Sequence, residues 1–172
     1  MSFLSHKHKI VLLGSKVLLS EASPIPVEEI LSPEIQGLIE GMTKAMKDGR
    51  GVGLAGPQVG ELKRIFIVSP AVKREQDAII EDFHDVFINP EILEKSAESV
   101  IGLEGCLSIP DLYGDVPRAK TVKVRAYGKD GKKFEINASD FYARVIQHEN
   151  DHLDGILFLF RMRDLKTLRI EY

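Results

Sequence analysis

Residues 121–138, TVKVRAYGKDGKKFEINA, constrain the fold more than any other stretch. Apolar and polar residues alternate on both arms, with Gly128, Asp130 and Gly131 between them. A period of two puts every second side chain on one face of a strand, so the segment is an antiparallel hairpin and not a helix. The next segment, SDFYARVIQHENDHLDG (139–155), has the opposite character. Phe141, Val145, Ile146 and Leu153 fall on one side of a helix, Ser139 can cap its start, and Gly155 stands where a helix ends. A second helix is expected in LSPEIQGLIEGMTKAMKDGRG (31–51). Ser32 is its N-cap, Pro33 its first residue, and Ile35, Leu38, Ile39, Met42 and Met46 form its apolar stripe. Gly49 or Gly51 ends it.

RIFIVS (64–69) and DVFINP (85–90) read as buried strands, with a polar loop between them, and ESVIGLEGCLSIP (98–110) mixes short strand and turn signals. The first 30 residues look irregular, and Pro24 and Pro26 mark an extended connector. The expected class is α+β: one compact domain over 1–172, with small antiparallel or mixed sheets packed around the C-terminal-half helix. At 172 residues and 44% hydrophobic content, such a chain can bury a core without disulfides. It has a single cysteine, so no internal disulfide forms, and a reducing compartment, the cytoplasm, is expected. The net charge of −3 gives no reason to expect a specific nucleic-acid partner. The apolar run Ile10 to Leu13 is far too short to span a membrane.

Three stretches could carry chemistry. In HENDH, His148 and His152 lie four apart, about 6 Å along a helix axis and on one face. Two imidazoles so placed can share one metal ion, and the adjacent Glu149 can serve as general base. A solvated polar helix face would read the same way. Phe158 stands where one metallohydrolase class has a third histidine, and the only later glutamate is Glu171, next to the end. EGCLSIP (104–110) holds Cys106, whose thiolate could be the third ligand and leave a fourth position open, or which could be a plain core thiol. GVGLAGPQVG (51–60) matches a dinucleotide fingerprint by glycine spacing but follows a helix and precedes a strand, the wrong context. Its glycines suit close backbone approach to a ligand, and Gln58 can offer an amide N–H to an oxyanion.

GVGLAGPQ, EGCLS and QHENDHLDG together, in this order and spacing, resemble the three signature motifs of the peptide deformylase family. The resemblance spans most of the chain. It implies a metal-dependent hydrolase that removes the formyl group from the N-terminal formylmethionine of new proteins and releases formate. It implies Cys106, His148 and His152 as metal ligands, Glu149 as general acid/base, and Gln58 with the backbone N–H of Leu107 as oxyanion donors. The backbone of Val52, Gly53 and Leu54 would receive the peptide, with Gly105, Tyr113 and Val145 also at the substrate. Val52, Phe141 and Val145 are candidate walls for the methionine side chain, with Phe141 better read as core. The implied metal is one Fe²⁺ per chain, which Zn²⁺, Ni²⁺ or Co²⁺ can replace.

The chain also departs from the family. Tyr113 stands where many members carry arginine, Gly56 replaces an alanine, and the loop over 70–85 looks longer. The short stretch after HENDHLDG suggests weak ribosome association or an auxiliary enzyme, acting as a monomer or weak dimer. Two other classes remain: a metallohydrolase of this fold acting on another N-acyl amine or peptide, and a non-catalytic paralogue. His6 and His8 read as a solvated tail.

Overall fold

The computed structural model describes residues 9–74 and 83–170. Its elements run α1 (Pro33–Asp48), β1 (Gly53–Ala55), β2 (Ile65–Val68), β3 (Val86–Lys95), β4 (Ser99–Cys106), β5 (Ile109–Ala119), β6 (Thr121–Tyr127), β7 (Lys133–Ser139), α2 (Asp140–Leu153) and β8 (Arg169–Ile170). One sheet has the order β1-β2-β3-β6-β7 and the other β4-β5-β8. The ladders between these strands are all antiparallel, so neither sheet is mixed. Among the described residues, one parallel bridge joins Ser23 to Lys63 outside them. No helix among the described residues is long and apolar enough to cross a membrane. His6, His8 and Glu171 lie outside the described residues, as does most of the polar loop between β2 and β3.

The hairpin over 121–138 forms as the alternation requires. Val122, Val124 and Ala126 of β6 face the core with Ile136 and Ala138 of β7. Strand β2 is buried on both faces, which is why its sequence is uniformly apolar instead of alternating. Phe66 and Val68 join the cluster beneath α2, while Ile65 and Ile67 join the one beneath α1. A fully buried Phe or Ile contributes about 1.5–3 kcal/mol, so this strand ties both helices to one sheet.

Helix α1 starts as expected, with Ser32 Oγ accepting from Ile35 N–H at 3.3 Å. It ends at Gly49, as expected; Gly49 caps it in a right-handed conformation, and the left-handed residue that then turns the chain is Arg50, with φ 56°. Helix α2 departs in detail, because the Ser139 side chain makes no capping hydrogen bond. Gly155 does end it, at φ 69°, where a Cβ would meet the Leu19 carbonyl carbon at 2.7 Å.

The region 98–119 holds far more strand than its pattern promises. β4 and β5 form one long hairpin from Ser99↔Ala119 to Cys106↔Ile109. Glycines break the alternation because neighbouring side chains occupy the space a Cβ would take: Arg144 at Gly102, Tyr113 at Gly105 and Met162 at Gly114. Arg144 lies over the face of this hairpin, where its guanidinium donates to Val100 O at 2.7 Å, to Gly102 O at 3.4 Å and to Val116 O at 2.8 Å.

Candidate metal centre

Helix α2 lies between the two sheets, and this explains its composition. Its apolar side packs on the five-stranded sheet. Its polar side, bearing Arg144, His148, Glu149, Asp151 and His152, is buried too. Buried charge is tolerable only when paired and hydrogen-bonded, and here a connected network supplies the partners. Glu104 accepts two hydrogen bonds from Arg118 at 2.9 Å each, one from Arg144 at 2.8 Å, and lies 2.9 Å from His148 Nδ1. Arg118 also reaches Asp151, which Arg161 clasps from the other side at 3.0 and 2.7 Å.

Cys106 ends β4 opposite the two histidines. One ligand atom from each of Cys106, His148 and His152 lies within 4.8 Å of the others, a spacing that suits one shared ion. Cys106 Sγ is 3.3 Å from His152 Nε2, and the Gln58 amide donates to Sγ at 3.2 Å and to Ser108 Oγ at 3.3 Å. The other end of that amide is fixed, because Gln58 Oε1 accepts from Ala55 N–H at 2.8 Å. Glu104 sets the His148 ring by taking Nδ1, the arrangement that orients metal-binding imidazoles.

The electrostatics separate the buried groups. Burial opposes charge on His148, but its hydrogen bonds with Cys106 and Glu104 prevail and raise its pKa. Burial lowers His152 well below the ordinary histidine range, and the nearby His148 adds to this, so His152 is neutral and free to act as a ligand. Burial pushes Glu149 up to about 7 against the pull of His148, and Glu149 Oε2 has no hydrogen-bond partner among the described residues. A buried carboxyl with an open oxygen beside three converging ligands is poised to exchange a proton with a small molecule.

A cleft of about 450 Å³ opens over Cys106, His148 and Glu149. Gln58, Leu107, Gly105, Tyr113, Val52, Gly53 and Val145 also line it. Gly53 is required there, since a Cβ would overlap the Glu149 carboxylate. The Leu54 side chain is fully buried in the core beneath α1, so only its backbone is available for the expected role. One expectation needs correction. Phe141, read as core, is only partly buried and forms part of the wall. It starts a helix whose first turn overhangs the opening, so a helical apolar stripe does not distinguish it from Val145.

Sequence reasoning missed Glu104, Arg118, Arg144, Asp151 and Ser108. One signal was available for Arg118. The period-two pattern of β5 puts it on the inward face with Gly114 and Val116, where an arginine demands a buried acid.

The chain matches the family model described as polypeptide deformylase over residues 7–168. It is 44% identical over 159 residues to peptide deformylase 1 of Bacillus subtilis, covering 92% of each chain. Its fold is similar to that of the class I type b peptide deformylase of Acinetobacter baumannii, solved with Met-Ala-Ser bound. That match has a TM-score of 0.82 at 40% identity and covers 92% of this chain and all of the other. The peptide deformylase of Thermotoga maritima is similar at TM-score 0.79 and 34% identity, covering 92% and 99%.

Proposed function

This chain belongs to the polypeptide deformylase family, metal-dependent hydrolases that deformylate nascent N-formylmethionine peptides, and from that premise we propose how its residues divide the work. Cys106, His148 and His152 hold the metal ion, and Glu149 is the acid/base. The observation that carries this is the convergence of three ligand atoms within 4.8 Å, beside a buried carboxyl with an open oxygen. One thiolate and two imidazoles suit Fe²⁺, the proposed native ion, with Zn²⁺, Ni²⁺ or Co²⁺ as replacements. When bound, the ion supplies Lewis acidity and makes a water nucleophile available near neutral pH.

The chain's own groups account for the rest. Glu149 takes a proton from the attacking water as its oxygen bonds to the formyl carbon. It then delivers that proton to the methionine nitrogen as the C–N bond breaks, leaving formate and a free amine. The Gln58 amide, by giving up one of its hydrogen bonds to Cys106 and Ser108, and the Leu107 N–H are the donors to the developing oxyanion, and losing one such donor typically costs about 10²–10³ in rate. Val145 and Phe141 wall the methionine side chain, with Val52 opposite. The peptide backbone pairs with β1 at Gly53. Val52 O is taken by Ser69 N–H and Ala55 N–H by Gln58, so alternation turns the Gly53 groups toward the cleft. Gly105 and Tyr113 form the opposite side, and the Tyr113 ring packs on Gly105.

Nascent formylated chains occur where translation runs, so we assign the protein to the cytoplasm. Weak ribosome association and a monomeric or weakly dimeric state fit a cleft that takes single short N-terminal segments. Ribosome sedimentation and light scattering test them.

The deciding assay is formate release from formyl-Met-Ala-Ser by Fe²⁺-loaded protein, beside acetyl-Met-Ala-Ser and beside Glu149→Ala. Release from the formyl peptide alone, lost in the variant while one equivalent of metal stays bound, is the expected result. Equal release from the acetyl peptide would point to a broader acyl-amine hydrolase.

A further inference from the structure

We propose that Arg50 is a specificity residue that favours nascent chains carrying an acidic side chain at their third or fourth position. The proposal rests on the deformylase reading of the cleft.

The shape of the cleft carries the first step. Of the segment around β1, residues 49 to 53 line the opening, whereas 54 to 57 do not. The formyl group must lie at the Gly53 end, where Glu149 and Gln58 meet Cys106. The rest of an extended peptide can therefore leave only along the backbone from Gly53 toward Gly49, and this path passes Arg50. Extended backbone rises about 3.3 Å per residue and the left-handed turn at Arg50 shortens the span, so Arg50 lies within about 10 Å of Gly53, and its long side chain reaches the third and fourth residues of the substrate.

The backbone of Arg50 is held in an unusual state. Its φ of 56° lies in the left-handed region, which glycine occupies freely and arginine does not. Glycines stand on both sides of it, so the chain could have turned at a glycine. Those two glycines are needed for another reason: a Cβ at Gly49 would meet Leu107 Cδ2 at 3.1 Å, and one at Gly51 would meet Cδ1 at 2.6 Å. The turn is thus clamped against Leu107, beside the Cys106 ligand, and hydrogen bonds from Arg50 N to Lys47 O at 3.1 Å and from Gly51 N to Met46 O at 2.9 Å fix it. Backbone strain of this kind concentrates at functional sites.

The side chain, by contrast, is exposed and makes no ion pair or hydrogen bond among the described residues. It is a cation on a rigid anchor at the exit of a peptide cleft. Leu103 and Tyr113 across the opening are uncharged. Asp111 lies on the same lining, also left-handed with φ 64°, and opposes Arg50 in sign. Asp111 has a short side chain, so the longer arginine decides the preference and the aspartate moderates it.

The test compares formyl-Met-Ala-Glu-Glu-Ser, formyl-Met-Ala-Gln-Gln-Ser and formyl-Met-Ala-Lys-Lys-Ser on metal-loaded protein at low and high salt. The acidic peptide is expected to exceed the amide peptide by about two- to fivefold in kcat/KM at low salt, the range of an exposed ion pair. The gain should come through KM and fade as salt screens it. Arg50→Asn keeps a residue that tolerates the left-handed turn and should abolish the gain. Arg50→Glu should reverse it in favour of lysine, and Asp111→Asn should enlarge it. Equal rates for all three peptides with the wild-type protein, or a preference that survives in Arg50→Asn, overturns the proposal. If no peptide is deformylated, the deformylase reading of the cleft has failed instead. Fluorescence-anisotropy binding of the unformylated glutamate and glutamine peptides then decides the role of Arg50 by itself.

Discussion

Glu104 Oε2 and His148 Nδ1 lie 2.9 Å apart, and this contact joins the buried ion network to the metal centre. The same carboxylate is shared by Arg118 and Arg144, so its position is set from three directions. Replacing it with the isosteric amide, Glu104→Gln, leaves a weaker acceptor for His148 and too few acceptors for two arginines. Metal affinity should fall by about 10–100-fold, the usual effect of removing a partner behind a ligand. Competition against a metal chelator reads this directly, and an unchanged dissociation constant would mean that His148 is oriented by packing alone.

The same residue gives the protein an acid limit. Burial resists ionisation of Glu104, but the hydrogen bonds from His148 and Arg118 overcome it and lower its pKa from 4.5 to about 2. A folded pKa below the unfolded one contributes stability that is complete above about pH 4.5 and is lost as pH falls toward 2. Urea melts of the metal-free protein between pH 6 and 2.5 should show this decline, and it should be shallower in Glu104→Gln.

Arg118 stands between two buried acids, Glu104 and Asp151. Arg118→Met keeps an unbranched side chain about as long as the arginine stem and removes the charged end. Both carboxylates then lose a partner and repel each other, so unfolding free energy should drop by about 3–5 kcal/mol. Denaturant melts measure it. A drop below about 1 kcal/mol would show that Arg144 and Arg161 can satisfy the pair between them.

Gly53→Ala would drive a methyl group into the Glu149 carboxylate. Glu149 is itself buried, so moving it aside has a cost. The substitution should cost about 1–3 kcal/mol of stability, as overpacking does, and should lower kcat as Glu149 is displaced. The stability cost should shrink when Glu149→Ala is added, and a double-mutant cycle gives the coupling. Additive costs would place the clash elsewhere.

Much of this architecture is written locally. The 121–138 alternation specifies its hairpin, Ser32 and Pro33 mark the start of α1, and the three motif stretches converge because α2 brings His148 and His152 against the end of β4. What stays hidden depends on contacts distant in sequence. The β4–β5 hairpin looks broken because Gly102, Gly105 and Gly114 make room for Arg144, Tyr113 and Met162, none of which is a close neighbour in the chain pattern. Phe141 follows helical spacing and still reaches the cleft. Asp151, placed between two histidines, looks like a solvent-facing charge until Arg118 and Arg161 are brought to it. Arg50 takes a turn that two adjacent glycines would adopt more easily, because Leu107 fills their space.

The open edge of β1 decides what can pair with this protein. The edge at Gly53 is open but recessed, backed directly by a buried carboxylate. A lone extended peptide can slide into such a slot, whereas the border strand of a folded neighbour, with its own sheet behind it, is too broad to enter. The protein can thus accept the backbone of almost any new chain while discouraging its own copies from stacking edge to edge, a hazard that exposed strands otherwise carry.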